Sequence, residues 1–342
     1  MKKSLFLFAT AALVLASCSN DVTISENTVP AGSNAQQEIA FSPLSNTPKY
    51  AIRRAAVDGA TFPAVTMQVS AYDATNAKNF FSAVTFTKDG GSGTWKAGKY
   101  WPLAPATINF LAYAEFNAGT ATWDATNPAS AVTLEMDDNS TAQKDLMYAC
   151  GTGTVTQSSN TLTFPANVPM TFKHAQAWIK FTVKAKTSTE ATAITVNSIT
   201  LNSVSCQGTY TVTHANWNKT KAQRDAADPA GALDGSVSGA WSAYTPAGNI
   251  AAVKAAGYSA LSTDAQDYAS LMVVPDQGMA SFTINYTVDG NTYDYTYTPA
   301  STTLAQATKY VYNITFQLHE ILIAPEITDW ANGGTTNITV DD

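Results

Sequence analysis

The chain has 342 residues, long enough for two domains plus terminal processing sequence. Its side chains are 45% hydrophobic and only 13% charged, with 47 Thr, 15 Tyr and 14 Phe, a composition that suits pleated, half-buried strands better than helices. A net charge of −7 excludes the basic face of a nucleic-acid binder, and beyond the N-terminus no apolar run reaches the roughly 20 residues of a membrane-spanning helix.

Lys2 and Lys3, followed by an apolar stretch over residues 5–15, read as an export signal occupying residues 1–17. Leu15-Ala16-Ser17-Cys18 closes it in the form of a bacterial lipobox. Cys18 is therefore the expected lipid-bearing N-terminus of the mature protein, and its only attachment to a membrane. Residues 19–34 are rich in Ser, Asn and Thr with little periodicity and read as a flexible tether. Glu38-Ile39-Ala40-Phe41-Ser42 then places Ile39 and Phe41 on one face of a short strand. A polar loop follows, carrying Lys49 and the adjacent pair Arg53 and Arg54, two of the three arginines in the chain.

Residues 65–71, 83–87, 94–96 and 107–114 read as further strands joined by short turns, the last alternating Ile108, Phe110 and Ala112 with Asn109 and Leu111. Gly, Thr, Ser and Asn cluster over residues 151–160, where a domain boundary is expected. This divides the chain into an N-terminal sandwich over 55–155 and a C-terminal one over 156–342. In the second half Ile179, Phe181 and Val183 alternate with Lys180, Thr182 and Lys184. Residues 216–267 are rich in Ala, Gly and Asp and read as an inserted loop with a short helix over 249–256. The clearest hairpin joins residues 282–288 through Asp289-Gly290 to a strand bearing Tyr293, Tyr295 and Tyr297 on one face, because a primed turn needs positive φ at both central positions. A long strand over 310–318 follows.

Chemistry is sparse. His174, His214 and His319 are isolated, no GxSxG elbow, P-loop or CxxC pattern occurs, and no metal or cofactor is expected. Cys150 and Cys206 are either one disulfide or two buried thiols. Trp95, Trp101, Trp123 and Trp217 are read as core, with a sugar platform as the alternative. The Arg pair is the informative feature. A cut after Arg54 separates the lipid, the tether and an edge-completing strand from the rest, exposing strand edges and emptying the sites of Ile39 and Phe41. Such a sandwich accepts a strand from another chain.

In this order Cys18, the strand at 38–42, Arg53-Arg54, Tyr100-Trp101-Pro102, Asp145-Leu146-Met147-Tyr148, Phe172-Lys173-His174-Ala175 and Ile327-Thr328-Asp329-Trp330 resemble the fimbrillin (type V pilin) family over nearly the whole chain. The resemblance implies an all-β fold of two tandem transthyretin-like Greek-key β-sandwich domains, with short helices only in inserted loops. It implies a structural and adhesive subunit, not an enzyme: an outer-membrane lipoprotein on Cys18, cut by an Arg-specific surface protease after Arg54 or its neighbour Arg53, and polymerised into a surface fimbrium. Ile39 and Phe41 would belong to the removable strand, and Ile327, Trp330, Ile338 and Val340 to the donor region that fills a neighbouring subunit. The implied partners are other fimbrial subunits, the protease and a host or bacterial surface ligand, with no nucleic acid. Gly333-Gly334 interrupts the donor region and Asp341-Asp342 suits burial poorly, so stalk, tip and accessory roles all stay open. The alternative is an uncleaved lipoprotein that anchors a pilus or binds glycans.

Overall fold

The structure is a computed structural model that describes residues 26–30, 36–44, 66–89, 94–114, 121–123, 131–136, 145–227, 237–242, 248–275, 278–300, 303–317, 321–329 and 335–337. The fold is all-β. The first half contributes β1 (Glu26–Pro30), β2 (Phe41–Leu44), β3 (Met67–Asp73), β4 (Lys78–Lys88), β5 (Trp95–Lys96), β6 (Ala106–Ala114), β7 (Ala121–Trp123), β8 (Ala131–Met136), β9 (Met147–Ser158), β10 (Thr161–Pro165), β11 (Val168–Thr171) and β12 (Lys173–His174). The second half begins with β13 (Ala177–Ala185), helix α1 (Ser188–Ala193), β14 (Ile194–Val204), β15 (Gly208–His214), helix α2 (Lys221–Ala227), β16 (Val237–Ser242), β17 (Gly248–Ala251) and β18 (Val253–Lys254). It ends with β19 (Gln266–Val273), β20 (Ser281–Val288), β21 (Asn291–Tyr297), β22 (Thr308–Phe316), β23 (Ile321–Asp329) and β24 (Thr335–Asn337).

The first sheet runs β1-β10-β9-β6-β3-β4-β5-β2-β11, with β12 also paired to β9. It folds over on itself. β4 pairs with β3 along most of its length and with β5 near its end, and β11 returns against β9, where Gly151 leaves room for Val168 and Met170. The enclosed core holds Phe41, Phe86, Trp95, Trp101, Phe110 and Phe164. β6 is buried along its whole length, which the alternation in its sequence does not convey. Ile108, Phe110 and Ala112 enter that core, while Leu111 and Tyr113 face a second cluster with Val132, Leu134, Tyr210 and Val212. The second cluster is covered by a four-stranded sheet ordered β16-β15-β8-β7, so strands from both halves of the chain share one sheet.

The remaining strands form a six-stranded sheet, β18-β19-β13-β22-β23-β24, and a four-stranded one, β17-β14-β20-β21. Their core centres on Phe181, Phe282 and Tyr312, whose ring centroids lie 4.9–5.6 Å apart. At its margin α1 starts with a Thr187–Glu190 capping box, in which the Thr187 and Glu190 N–H groups each donate to the other residue's side chain.

Several expectations change. The stretch expected as a tether contains β1, which pairs with β10 over five residues, because a Thr- and Val-bearing strand satisfies an otherwise open edge. β2 is not at an edge: it lies between β5 and β11. Residues 151–158 continue β9, and the apolar cores change between Met170 and Ala177. In the stretch expected as an inserted loop, the helix falls at α2 and the expected helix over 249–256 gives way to β17 and β18. Pairing with β14 and β19 there outweighs the helical propensity of alanine.

Candidate functional site

Residues 36–44 thread a slot in the first sandwich. Main-chain bonds hold them on both sides. Ile39 N–H donates to Lys99 C=O at 2.7 Å and Trp101 N–H to Gln37 C=O at 3.0 Å, while on the opposite flank Val168 N–H donates to Ala40 C=O at 2.8 Å. From there β2 runs parallel to β11, and Phe41 pairs antiparallel with Trp95 of β5. The Glu38 carboxylate accepts from Gly98 N–H at 2.8 Å, at a position where φ of +63° favours glycine. Ile39 and Phe41 are both fully buried. The Phe41 ring meets Phe86 and Phe110 edge-on at 4.8 and 5.0 Å, and each such side chain stabilises the fold by about 1.5–3 kcal/mol on burial. The slot is therefore a strand site that the chain fills with its own segment, upstream in sequence of the Arg pair.

Cys18, Arg53, Arg54, Trp330, Ile338 and Val340 lie outside the described residues. Ile327 sits in β23, which pairs with β22 along all nine of its residues, whereas β24 holds β23 through three pairs. Cys150 and Cys206 are two buried thiols and form no disulfide. Trp95, Trp101 and Trp217 are core residues at 1–2% exposure and offer no face to a sugar; the side chain of Trp123 lies outside the described residues. No group of His, Cys, Asp and Glu among the described residues has the geometry of a metal site. His319 is likewise outside them.

Two pairs of the quoted motifs meet in space. Tyr100 bridges Glu38 at the slot, and the Asp145 and His174 segments form the joint between the two halves. His174 Nδ1 lies 2.8–2.9 Å from the Asp145 carboxylate oxygens, and Ala175 N–H donates to Leu146 C=O at 2.8 Å. Sequence reasoning missed the residues that complete this joint. Gln306 Nε2 reaches Tyr148 Oη at 2.9 Å, Tyr210 Oη at 2.8 Å and the His174 carbonyl at 3.1 Å. Trp241 Nε1 donates to Ala175 C=O at 2.6 Å, and the Gln176 side chain accepts from Leu146 N–H at 2.9 Å. None of them carries a local signal, since each is defined by a partner far along the chain.

Among solved structures, a candidate cell-adhesion protein of Bacteroides ovatus matches with a TM-score of 0.51 and 17% identity, covering 87% of this chain and 99% of that one. A candidate cell-adhesion protein of Bacteroides uniformis matches at 0.49 and 17% identity over 86% of this chain and 98% of its own. A fimbrial protein of Bacteroides vulgatus matches at 0.48 and 14% identity over 86% and 100%. No curated protein sequence matches the chain. The fimbrillin-like family model matches residues 56–330, beginning two residues after Arg54 and ending at Trp330, and the chain belongs to the fimbrillin-like family.

Proposed function

We propose that the chain is a structural fimbrial subunit, exported as a lipoprotein on Cys18, cut after Arg54 at the cell surface and polymerised by strand insertion. The observation that carries this reading is the seating of residues 36–44 between β5 and β11, with Ile39 and Phe41 fully buried, immediately upstream in sequence of Arg53 and Arg54. A cut there removes β2 from between two strands that stay behind. The slot then presents unpaired main-chain groups and vacated apolar sites, a state relieved by any strand of matching alternation. The same cut removes β1 and uncovers β10. The donor we assign is the chain downstream of β23, including Trp330, Ile338 and Val340, because β23 itself is locked to β22. Residues 55–342 carry 14 basic and 23 acidic side chains, a net charge of −9 that keeps subunits soluble before assembly.

The test is the intact mass and N-terminal sequence of the protein on its native cell surface, together with a denaturation-resistant polymer ladder. A start at Ala55 with a ladder is the expected result. The Arg53→Ala/Arg54→Ala double variant should keep its lipidated start at Cys18 and lose the ladder. Wild-type protein recovered wholly with lipidated Cys18 would overturn the reading in favour of an uncleaved anchor lipoprotein.

A further inference from the structure

β21 is the last strand of its sheet, and among the described residues it pairs only with β20. It is exposed over most of its length, with Tyr293 at 49%. Its register is fixed by a two-residue turn: Asp289 and Gly290 have φ of +48° and +82°, and Val288 faces Asn291. In a hairpin of this kind the closing pair exchanges both main-chain bonds, and bonding alternates from there. Asn291, Tyr293, Tyr295 and Tyr297 therefore turn their N–H and C=O groups toward β20. Those of Thr292, Asp294 and Thr296 point outward from the sheet.

The sequence of this edge is its own mirror. Thr292-Tyr293-Asp294-Tyr295-Thr296 reads the same in both directions. We propose that β21 is a self-pairing edge whose occupant is the β21 strand of a second copy of this chain, placed antiparallel about Asp294. That register puts Thr292 opposite Thr296 and Tyr293 opposite Tyr295, both favourable cross-strand pairs, and it joins two four-stranded sheets across a two-fold axis. The side chains already follow this logic inside the sheet. On the outer face Thr283 meets Thr296 at 3.1 Å and Thr287 meets Thr292 at 3.2 Å, while on the inner face Tyr286 stacks on Tyr293.

One pair opposes the contact. Asp294 faces its own copy, and it is the only charged side chain on β14, β17, β20 and β21. Its carboxylate accepts from Asn285 Nδ2 at 2.7 Å, and no cation on those strands neutralises it. Like charges directly opposite weaken strand pairing, so the contact is reversible and depends on screening. Copies held side by side would join laterally through this edge, whatever links them end to end.

Sedimentation of the purified chain over a concentration series tests this directly. Wild-type dimer should increase with added NaCl. Asp294→Asn should tighten self-association roughly tenfold, the scale expected for removing one directly opposed like-charge pair. Adding Thr296→Pro to that variant should abolish the gain, because it deletes an outward N–H that the folded monomer does not use. Circular dichroism reports whether each variant is folded. A wild-type chain insensitive to salt, an Asp294→Asn variant no more associated than wild type, or a Thr296→Pro addition without effect would each overturn the proposal.

Discussion

Lys309 projects from β22 with its Nζ 4.6 Å from the ring centroid of the fully buried Trp178. Burial, reinforced by the neighbouring Lys180 ammonium, lowers its pKa to about 8, and the Asp267 and Glu326 carboxylates only partly offset this. Below pH 8 both the folded and unfolded chains carry the proton, and the folded state bears the whole desolvation cost. Between about pH 8 and the ordinary lysine value of 10.5 the unfolded chain binds more protons than the folded one, so stability rises with pH across that window. Tyr268 acts in the opposite sense. Burial and the nearby Tyr258 push its phenol up to about 12, so above pH 10 the unfolded chain ionises first and stability falls. Urea midpoints should therefore climb from neutral pH towards about pH 10 and drop beyond it. Lys309→Met should raise the midpoint at neutral pH and remove the climb; an unchanged slope would refute this account. Nothing in the local sequence marks Lys309, which alternates with Tyr310 as any surface lysine of a strand would.

At the level of elements, Gly239 of β16 exists for Tyr210 of β15. A Cβ there would collide with the Tyr210 phenol, which is buried against Trp241 and receives the Gln306 amide at the joint. Gly239→Ala should force the ring off its site and cost about 1–3 kcal/mol in chemical denaturation, with Gly239→Val worse and a surface control such as Gly257→Ala near neutral. An unchanged midpoint for the Ala variant would mean that the ring can shift freely. Elements with a strong local signal were legible in the sequence: the Asp289-Gly290 hairpin, the alternation of β13 and the long β22 all stand where periodicity puts them. Those defined by remote partners were not. β6 needs cores on both faces, and β17 and β18 form in an alanine-rich stretch only because β14 and β19 offer edges. β15 and β8 come from different halves of the chain yet pair over six residues. Alternation reports which face is apolar but not how many layers cover a strand.

For the whole molecule, the decisive property is that one segment completes a sandwich while lying upstream in sequence of the basic pair Arg53-Arg54. The sequence made Ile39, Phe41 and the Arg pair legible as a unit, but it could not show that β2 has neighbours on both sides or that β1, also upstream of the Arg pair, covers β10. On the proposed reading, the two flanking ladders would make a vacated slot a specific receptor, since an incoming strand would have to satisfy β5 on one side and β11 on the other and place a large apolar side chain against Phe86 and Phe110. A chain beginning at Ala55 should accordingly be less stable than the uncut chain, and it should recover when a peptide spanning residues 36–44 is supplied in trans. Binding only the folded state, the peptide raises the melting temperature with its concentration. The same peptide with Phe41→Ala should bind much more weakly, because truncating a fully buried phenylalanine costs about 3–5 kcal/mol. A peptide spanning residues 26–30 should add little alone, since it engages β10 on one side only. Equal rescue by the Phe41→Ala peptide would show that main-chain pairing alone fills the slot, and the apolar sites of Ile39 and Phe41 would lose their place as determinants of which strand a subunit accepts.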